Sequence, residues 1–335
     1  LSMEGKFWKW RMQGGAITLA QKFNTMKNQP DLIIATDMLD LSTFMSLTRD
    51  KSSKIPTILY FHENQLSYPW STKDKDFINN KHKHYGFINY TSALTADHVL
   101  FNSNYHKNSF IEELKLLLKK FPDHNELATI EKIKDKSKVL YIGIDLKRFD
   151  TYKIKNEGPP LILWNHRWEY DKNPETFFKV LFNLHKTGID FRVAILGEKY
   201  KKYPSIFDKA IEILKSNSVH FGYCNSSKEY AEWLWKADIL PVTNNQDFFG
   251  ISIMEAIYCD TYPLLPNRLS YPELLPIDYH NEHIYINNDD LINKLKSTIM
   301  NIEKIRNLKF NKIAHQYDWS TMKKSYDQLL CSFIK

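Results

Sequence analysis

At 335 residues, with 43% apolar and 14% aromatic side chains, the chain is long enough for about two domains with real cores at roughly 150 residues each. No run approaches the roughly 18–20 apolar residues of a membrane span, and the opening LSMEGKFWKWRM lacks the apolar centre of a secretory signal. Three scattered cysteines argue against a disulfide scaffold or a cysteine-built zinc site and point to a reducing cytoplasm, while a net charge of +7 permits a polyanionic partner without demanding one.

In chain order, short β-branched or apolar runs predict strands at 31–36, 57–62, 98–103 and 138–143 in the first half. The second half repeats the alternation, with strands at 160–166, 191–197, 219–223, 238–243 and 261–266. Helical patterns separate them, such as FIEELKLLLKK and the segment that opens on Pro174 and closes on Gly188. Alternation of this kind, twice over, predicts an α/β chain of two Rossmann-like domains with parallel sheets. The boundary is expected in the polar stretch 151–160, which ends in Gly158, Pro159 and Pro160. The expected division is an N-domain over 1–152, a C-domain over 158–318, and a final helix over 319–335 that packs back on the N-domain. A doubly wound domain normally opens on strand, phosphate loop and helix, and the first residues here show no such unit. The expectation is that this unit is missing from the sequence.

Four segments carry candidate chemistry. The first runs from Asp247 through Phe249, Gly250 and Ile251 to Glu255, after a buried strand and into a helix. Free backbone amides and the positive end of a helix dipole suit a diphosphate there, and Gly250 lets the backbone approach it closely. Glu255, an acceptor-only carboxylate, suits two vicinal ribose hydroxyls. An ordinary amphipathic helix with an acid at its start explains the same residues. The second segment, Asn165, His166, Arg167 and on to Lys172, follows the first strand of the second half. Two cations five residues apart suit a departing nucleoside diphosphate; a capping loop is the plainer reading. In the third, His62, Glu63, Asn64 and Gln65 stand at the carboxyl end of an apolar strand, where parallel sheets bind ligands. Four adjacent polar residues there are not expected in a core. His62 is a candidate hydrogen-bonding or proton-carrying group and Glu63 a candidate acid or base. The fourth, Asn267, Arg268 and Glu273, follows the last strand and either lines the same cleft or forms a polar turn.

Other features read more plainly. Lys6, Trp8, Lys9, Trp10 and Arg11 suit stacking on bases with phosphate contacts, or an amphipathic segment packed on its own domain. His82, Lys83 and His84 read as a solvated helix face, and Asp289 with Asp290 as a helix start rather than a metal-binding DxD motif.

Together the motifs resemble glycosyltransferase family 4. Arg167, Lys172 and Glu255 match its loop cations and the second acid of its E-x7-E motif, and Asp247 stands where the first Glu is usual. YIGIDLKRF (141–149) resembles the stretch ahead of the family's linker. A longer set of strings, KWRM, FHENQLSYP, NHRWEYDKNPE and DFFGISIMEAIYCDTYPLLPNRLSYPE, resembles the tRNA-queuosine alpha-mannosyltransferase family over almost the whole chain.

The resemblance implies a GT-B fold and a retaining, metal-independent transfer. It also implies GDP-mannose as donor and co-substrate and the queuosine of a tRNA anticodon as acceptor. Carried onto this sequence, it gives Arg167, Lys172, Phe249, Gly250, Ile251 and Glu255 as donor-binding residues and His62, Glu63 and Asp247 as catalytic. Asn64, Gln65, Asn165, His166, Asn267 and Arg268 complete an expected cleft. No cofactor and no metal are expected, and oligomeric state is not legible. Two readings compete: the same fold acting on a lipid or polysaccharide acceptor, with residues 104–120 as a candidate surface helix, and a non-catalytic RNA-binding protein.

Overall fold

The structure, a computed structural model, describes residues 1–71, 74–79 and 82–334. Compactness divides the chain into one unit of residues 1–142 and 324–335 and a second of residues 143–323. The division falls earlier in the chain than the polar stretch 151–160. Residues 319–323 stay with the second unit, and the remainder of the expected terminal helix joins the first, except Lys335, which lies outside the described residues.

The first unit is built on four parallel strands in sequential order: β1 (Ile33–Thr36), β2 (Thr57–Phe61), β3 (His98–Phe101) and β4 (Ser137–Val139). β2 is buried along its whole length, as its unbroken apolar run TILYF requires of a strand covered on both faces. On one face Phe61 stacks on Phe101 with ring centres 4.9 Å apart, and Phe110 of the Asn104–Leu118 helix packs on both. That helix buries His106, Phe110, Leu114, Leu117 and Leu118, so its apolar face is spent inside the unit. Leu116 stays exposed. Phe333, Tyr326, Leu329 and Leu330 of the C-terminal segment pack with Ile58, Tyr60, Leu100 and Leu140. The N-terminal basic and aromatic residues also turn inward in part. Lys9 pairs with Asp74 and Asp76 at 2.6 and 2.8 Å, and Trp8 lies against Trp70 and Tyr85.

The second unit holds a six-stranded parallel sheet, ordered β10-β9-β8-β5-β6-β7. Its strands are β5 (Leu161–Trp164), β6 (Arg192–Ile195), β7 (Ser218–Phe221), β8 (Ile239–Pro241), β9 (Tyr262–Pro266) and β10 (Ile284–Tyr285). All nine strands expected from the sequence form, and β10 is an addition. At two residues it is too short to give a periodic signal. The chain winds one way from β5 through β6 and β7, then returns to the other side of β5 for β8, β9 and β10. Strand order therefore reverses between β5 and β8, which touch through a single pair, Ile162 with Ile239. In open parallel sheets, ligands bind outside the carboxyl ends of the strands at such a reversal.

Packing fixes this end of the sheet. Trp164, Phe177, Phe178 and Phe207 interlock beneath it, and Trp168 stacks on Phe207 with ring centres 4.4 Å apart. Among the described residues, no helix is long and apolar enough to cross a membrane.

Candidate active site

The loops that leave β5 and β8 carry most of the second-half candidates, and the strand reversal brings them together. Asn165 Nδ2 donates to the Ser252 carbonyl at 2.7 Å, and His166 Nδ1 lies 3.2 Å from Ser252 Oγ. The β5 loop is thus fastened to the first turn of the helix Ile251–Tyr258. Gly250 precedes that helix with φ +99°, a left-handed conformation that glycine adopts without strain. No side chain caps this end, which leaves its amides for a ligand. Ile251, the first residue of the helix, is partly exposed, whereas Phe249 is buried against Tyr317.

Lys172, expected with Arg167 to neutralise a departing diphosphate, is already engaged by protein oxygens. Its ammonium is almost buried and donates to the Gln246 carbonyl at 2.8 Å and Asp247 Oδ1 at 2.9 Å, with Asp171 Oδ2 at 3.2 Å. Two of its protons are donated to these acceptors, and Asp171 adds an ion pair without a hydrogen bond. Burial pulls this ammonium down, but Asp247 and Asp171 outweigh it and hold Lys172 above the ordinary lysine range. Asp247 Oδ2 accepts from Asn244 and from the Tyr271 hydroxyl, both at 2.6 Å. Burial lifts the Asp247 carboxyl, and Lys172, His166, Tyr271 and Asn244 together bring it below the usual carboxylate range. Lys172 therefore holds Asp247 ionised and in place. Arg167 stands at the edge of this cluster, half exposed and paired with Glu169 at 3.1 Å.

His166 is fully enclosed, and burial pushes its imidazole down to about 3, so it is neutral at physiological pH. Asn165 Oδ1, His166 Nε2, Asn244 Oδ1 and Gln246 Nε2 are buried with no hydrogen-bond partner, as are both Asp171 oxygens, which face Lys172 as an ion pair. Each such atom costs about 1–3 kcal/mol. The four that lack an ion-pair partner as well, on two adjoining loops, mark a place arranged for a polar ligand.

Glu255, inside the helix, is buried and doubly engaged. Arg148 Nη2 donates to Oε1 and the Tyr230 hydroxyl to Oε2, each at 2.7 Å. Burial lifts its carboxyl above the ordinary range, and Tyr230 and Arg148 restrain the rise. Tyr230 also walls a hollow of about 420 Å³ with Asn165, Gly197, Tyr223, Cys224 and Asn225. The sequence reading missed Arg148, Gly197 and Tyr230. Gly197 has φ +107°, and a Cβ there would stand 2.0 Å from the His166 carbonyl oxygen. That close passage joins the loops after β5 and β6, and an isolated glycine at a strand end was its one sequence signal.

Asn267 and Arg268 part company with this cluster. Arg268 donates to the carbonyls of Thr243 and Asn244 at 2.7 and 2.9 Å and so braces the β8 loop. Asn267 lines a different hollow, of about 650 Å³, with His280, Asn281 and Asp290.

In the first unit, His62 is half exposed, its amide donates to Asp37 Oδ1 at 2.9 Å and its ring lies against Tyr60. Gln65 Nε2 donates to Glu63 at 2.9 Å. The expectation that this polar run avoids the core fails for two of its members. Asn64 is fully buried, and its Oδ1 accepts from the amides of Leu66 and Ser67. Gln65 is buried too, with its amide on Asn89 Oδ1 at 2.7 Å. The two shape the turn, because a chain leaving a buried strand must satisfy its own backbone groups.

Residues 1–144 match the family described as tRNA-queuosine alpha-mannosyltransferase N-terminal, and residues 147–315 match glycosyl transferases group 1. A tRNA-queuosine alpha-mannosyltransferase of Drosophila melanogaster is 34% identical over 303 residues, covering 88% of this chain and 77% of the relative. Among solved structures, Anabaena HepE in complex with UDP superposes with a TM-score of 0.68 at 15% identity, covering 95% of this chain and 82% of that one. Sucrose-phosphate synthase from Thermosynechococcus elongatus gives 0.66 at 12% identity, covering 99% and 81%. At such identities the likeness shows the fold, which is that of GT-B glycosyltransferases.

Proposed function

The chain belongs to the tRNA-queuosine alpha-mannosyltransferase family, and from that premise we propose that this glycosyltransferase moves mannose from GDP-mannose onto the queuosine of a tRNA anticodon. The observation that carries the donor side is the meeting of the β5 and β8 loops at the strand reversal, with unpartnered polar atoms on both and an uncapped helix start beside them.

In this reading the nucleoside enters the hollow walled by Asn165, Gly197 and Tyr230. Glu255 accepts from the ribose hydroxyls through the lone pairs that Tyr230 and Arg148 leave open. The diphosphate meets the amides of Gly250 and Ile251 and the guanidinium of Arg167. Charge grows on the diphosphate as the glycosidic bond breaks, so donors fixed there beforehand favour the transition state over the ground state. Asp247, oriented by Lys172, Asn244 and Tyr271, accepts hydrogen bonds from the sugar hydroxyls. The family and its tRNA-queuosine relative support the acceptor, and the chemistry of the site supports the donor side.

Mass spectrometry of tRNA nucleosides after incubation with GDP-mannose tests the reading. Queuosine-bearing tRNA should gain one hexose, and tRNA lacking queuosine should not. Transfer from UDP-glucose instead would overturn the donor assignment. Loss of GDP-mannose with no change in tRNA would overturn the acceptor.

A further inference from the structure

We infer that His220, Cys224 and Glu229 form a zinc site that clamps the loop after β7 to the start of the helix Ser227–Lys236. Their ligand atoms, the imidazole nitrogen, Sγ and a carboxylate oxygen, all lie within 4.8 Å of one another. In a tetrahedral zinc centre, with bonds of about 2.0–2.3 Å, such atoms sit about 3.3–3.8 Å apart. Closure therefore needs movements on the order of 1 Å.

The surroundings are already arranged for ligation. His220 Nε2 lies 3.1 Å from the Gly222 carbonyl, which can only accept, so Nε2 carries the proton and Nδ1 presents its lone pair. A metal-bound histidine is characteristically fixed by such a bond through its other nitrogen. Glu229 is held the same way. Its Oε2 accepts from the Asn225 amide at 2.8 Å, which leaves Oε1 facing His220 Nδ1 at 3.8 Å. That separation is too long for a hydrogen bond. Cys224 is buried beside them, and burial, then Glu229, pushes its thiol up to about 11. Two acceptor atoms and a thiol thus gather with only the weak S–H donor to share among them, and a cation that displaces that proton satisfies all three. One nitrogen, one sulfur and one oxygen ligand suit the borderline-soft Zn²⁺ better than Mg²⁺ or Ca²⁺. On binding, the Cys224 thiol releases its proton to solvent and the thiolate joins the metal, with water in the fourth position. Tyr223, Cys224 and Asn225 wall the 420 Å³ hollow, so the metal would stiffen one side of it.

Cobalt substitution tests this on the 335-residue chain. Metal-free protein titrated with Co²⁺ should develop a thiolate-to-cobalt charge-transfer band at one equivalent, and Zn²⁺ should displace it. Cys224→Ser should abolish the band, whereas Cys331→Ser, which alters an exposed cysteine, should keep it. Glu229→Gln and His220→Ala should each weaken Zn²⁺ binding by about 10-fold or more. No band, or a band that survives Cys224→Ser, would overturn the site. Because the readout is metal binding, it stands or falls separately from the assignment of donor and acceptor.

Discussion

Arg148 Nη2 donates to Glu255 Oε1 at 2.7 Å, and this bond ties the segment ahead of β5 to the helix that follows β8. Removal of the arginine leaves a buried carboxyl with Tyr230 as its remaining charge-stabilising partner. In Arg148→Ala the carboxyl should therefore rise further. A carboxylic acid lifted in this way accepts poorly until the pH passes its folded value. Affinity for GDP should fall most at the acid end and recover as the pH rises, a dependence that titration calorimetry at a series of pH values would show. An affinity that is flat with pH and equal to that of the parent would count against the role of this pair.

Tyr230→Phe removes one hydroxyl from the same carboxylate. A hydrogen bond to a charged group contributes about 1.5–3 kcal/mol, so nucleotide affinity should drop roughly 10- to 100-fold while the fold persists. Thermal shift with GDP reads both at once.

Lys172 and Asp247 make the stronger structural prediction. Breaking a buried ion pair by removing one partner costs about 3–5 kcal/mol, because the other charge is left uncompensated. Lys172→Met should lower stability by about that amount, and Lys172→Met with Asp247→Asn should recover part of it, since Asp171 stays uncompensated, while transfer stays lost. Urea melts of the two variants provide the comparison.

The same pair sets a pH window. Asp247 is held below the unfolded carboxylate value of about 3.9, so its stabilisation is present above that pH and lost as the pH falls through the folded value. Lys172 is held above about 10.4, so its share is present below that pH and lost as the pH rises through the higher folded value. Between about pH 5 and 9 the pair contributes no slope to stability, and in Lys172→Met the acid-side loss due to Asp247 should shrink or reverse, because its main counter-charge is gone.

Two glycines at positive φ separate steric from conformational cost. Gly197→Ala drives a Cβ against the His166 carbonyl and should prevent the second unit from folding as it does. Gly222→Ala has open space around it at φ +135° and should lose only the backbone strain, about 1–3 kcal/mol. Soluble yield and melting temperature distinguish the two.

Much of this was legible in the sequence, because long apolar runs at strand spacing report burial directly. All nine expected strands formed, and the loop positions of Lys172, Asp247 and Gly250 followed from them. Side-chain pairing was not legible. Lys172 reads as a phosphate-binding cation until its two acceptors and its second carboxylate neighbour are seen, and nothing local to Asn64 says that it turns inward to staple a bend. Arg148 and Tyr230 reach Glu255 from 107 and 25 residues away, and pairs so separated leave no periodic trace. The 220–229 cluster was overlooked for a related reason. Its ligands come from a strand, a loop and a helix, and only one of them is a cysteine.

The central claim is that the second unit grips the nucleotide through Glu255 and the amide end of its helix. Titration calorimetry of GDP into the parent chain and into Glu255→Gln tests it most directly. The account predicts saturable binding to the parent at one site and at least about 10-fold weaker binding to the variant, since the amide keeps the shape but loses the charge. Equal affinity in two folded proteins would contradict it.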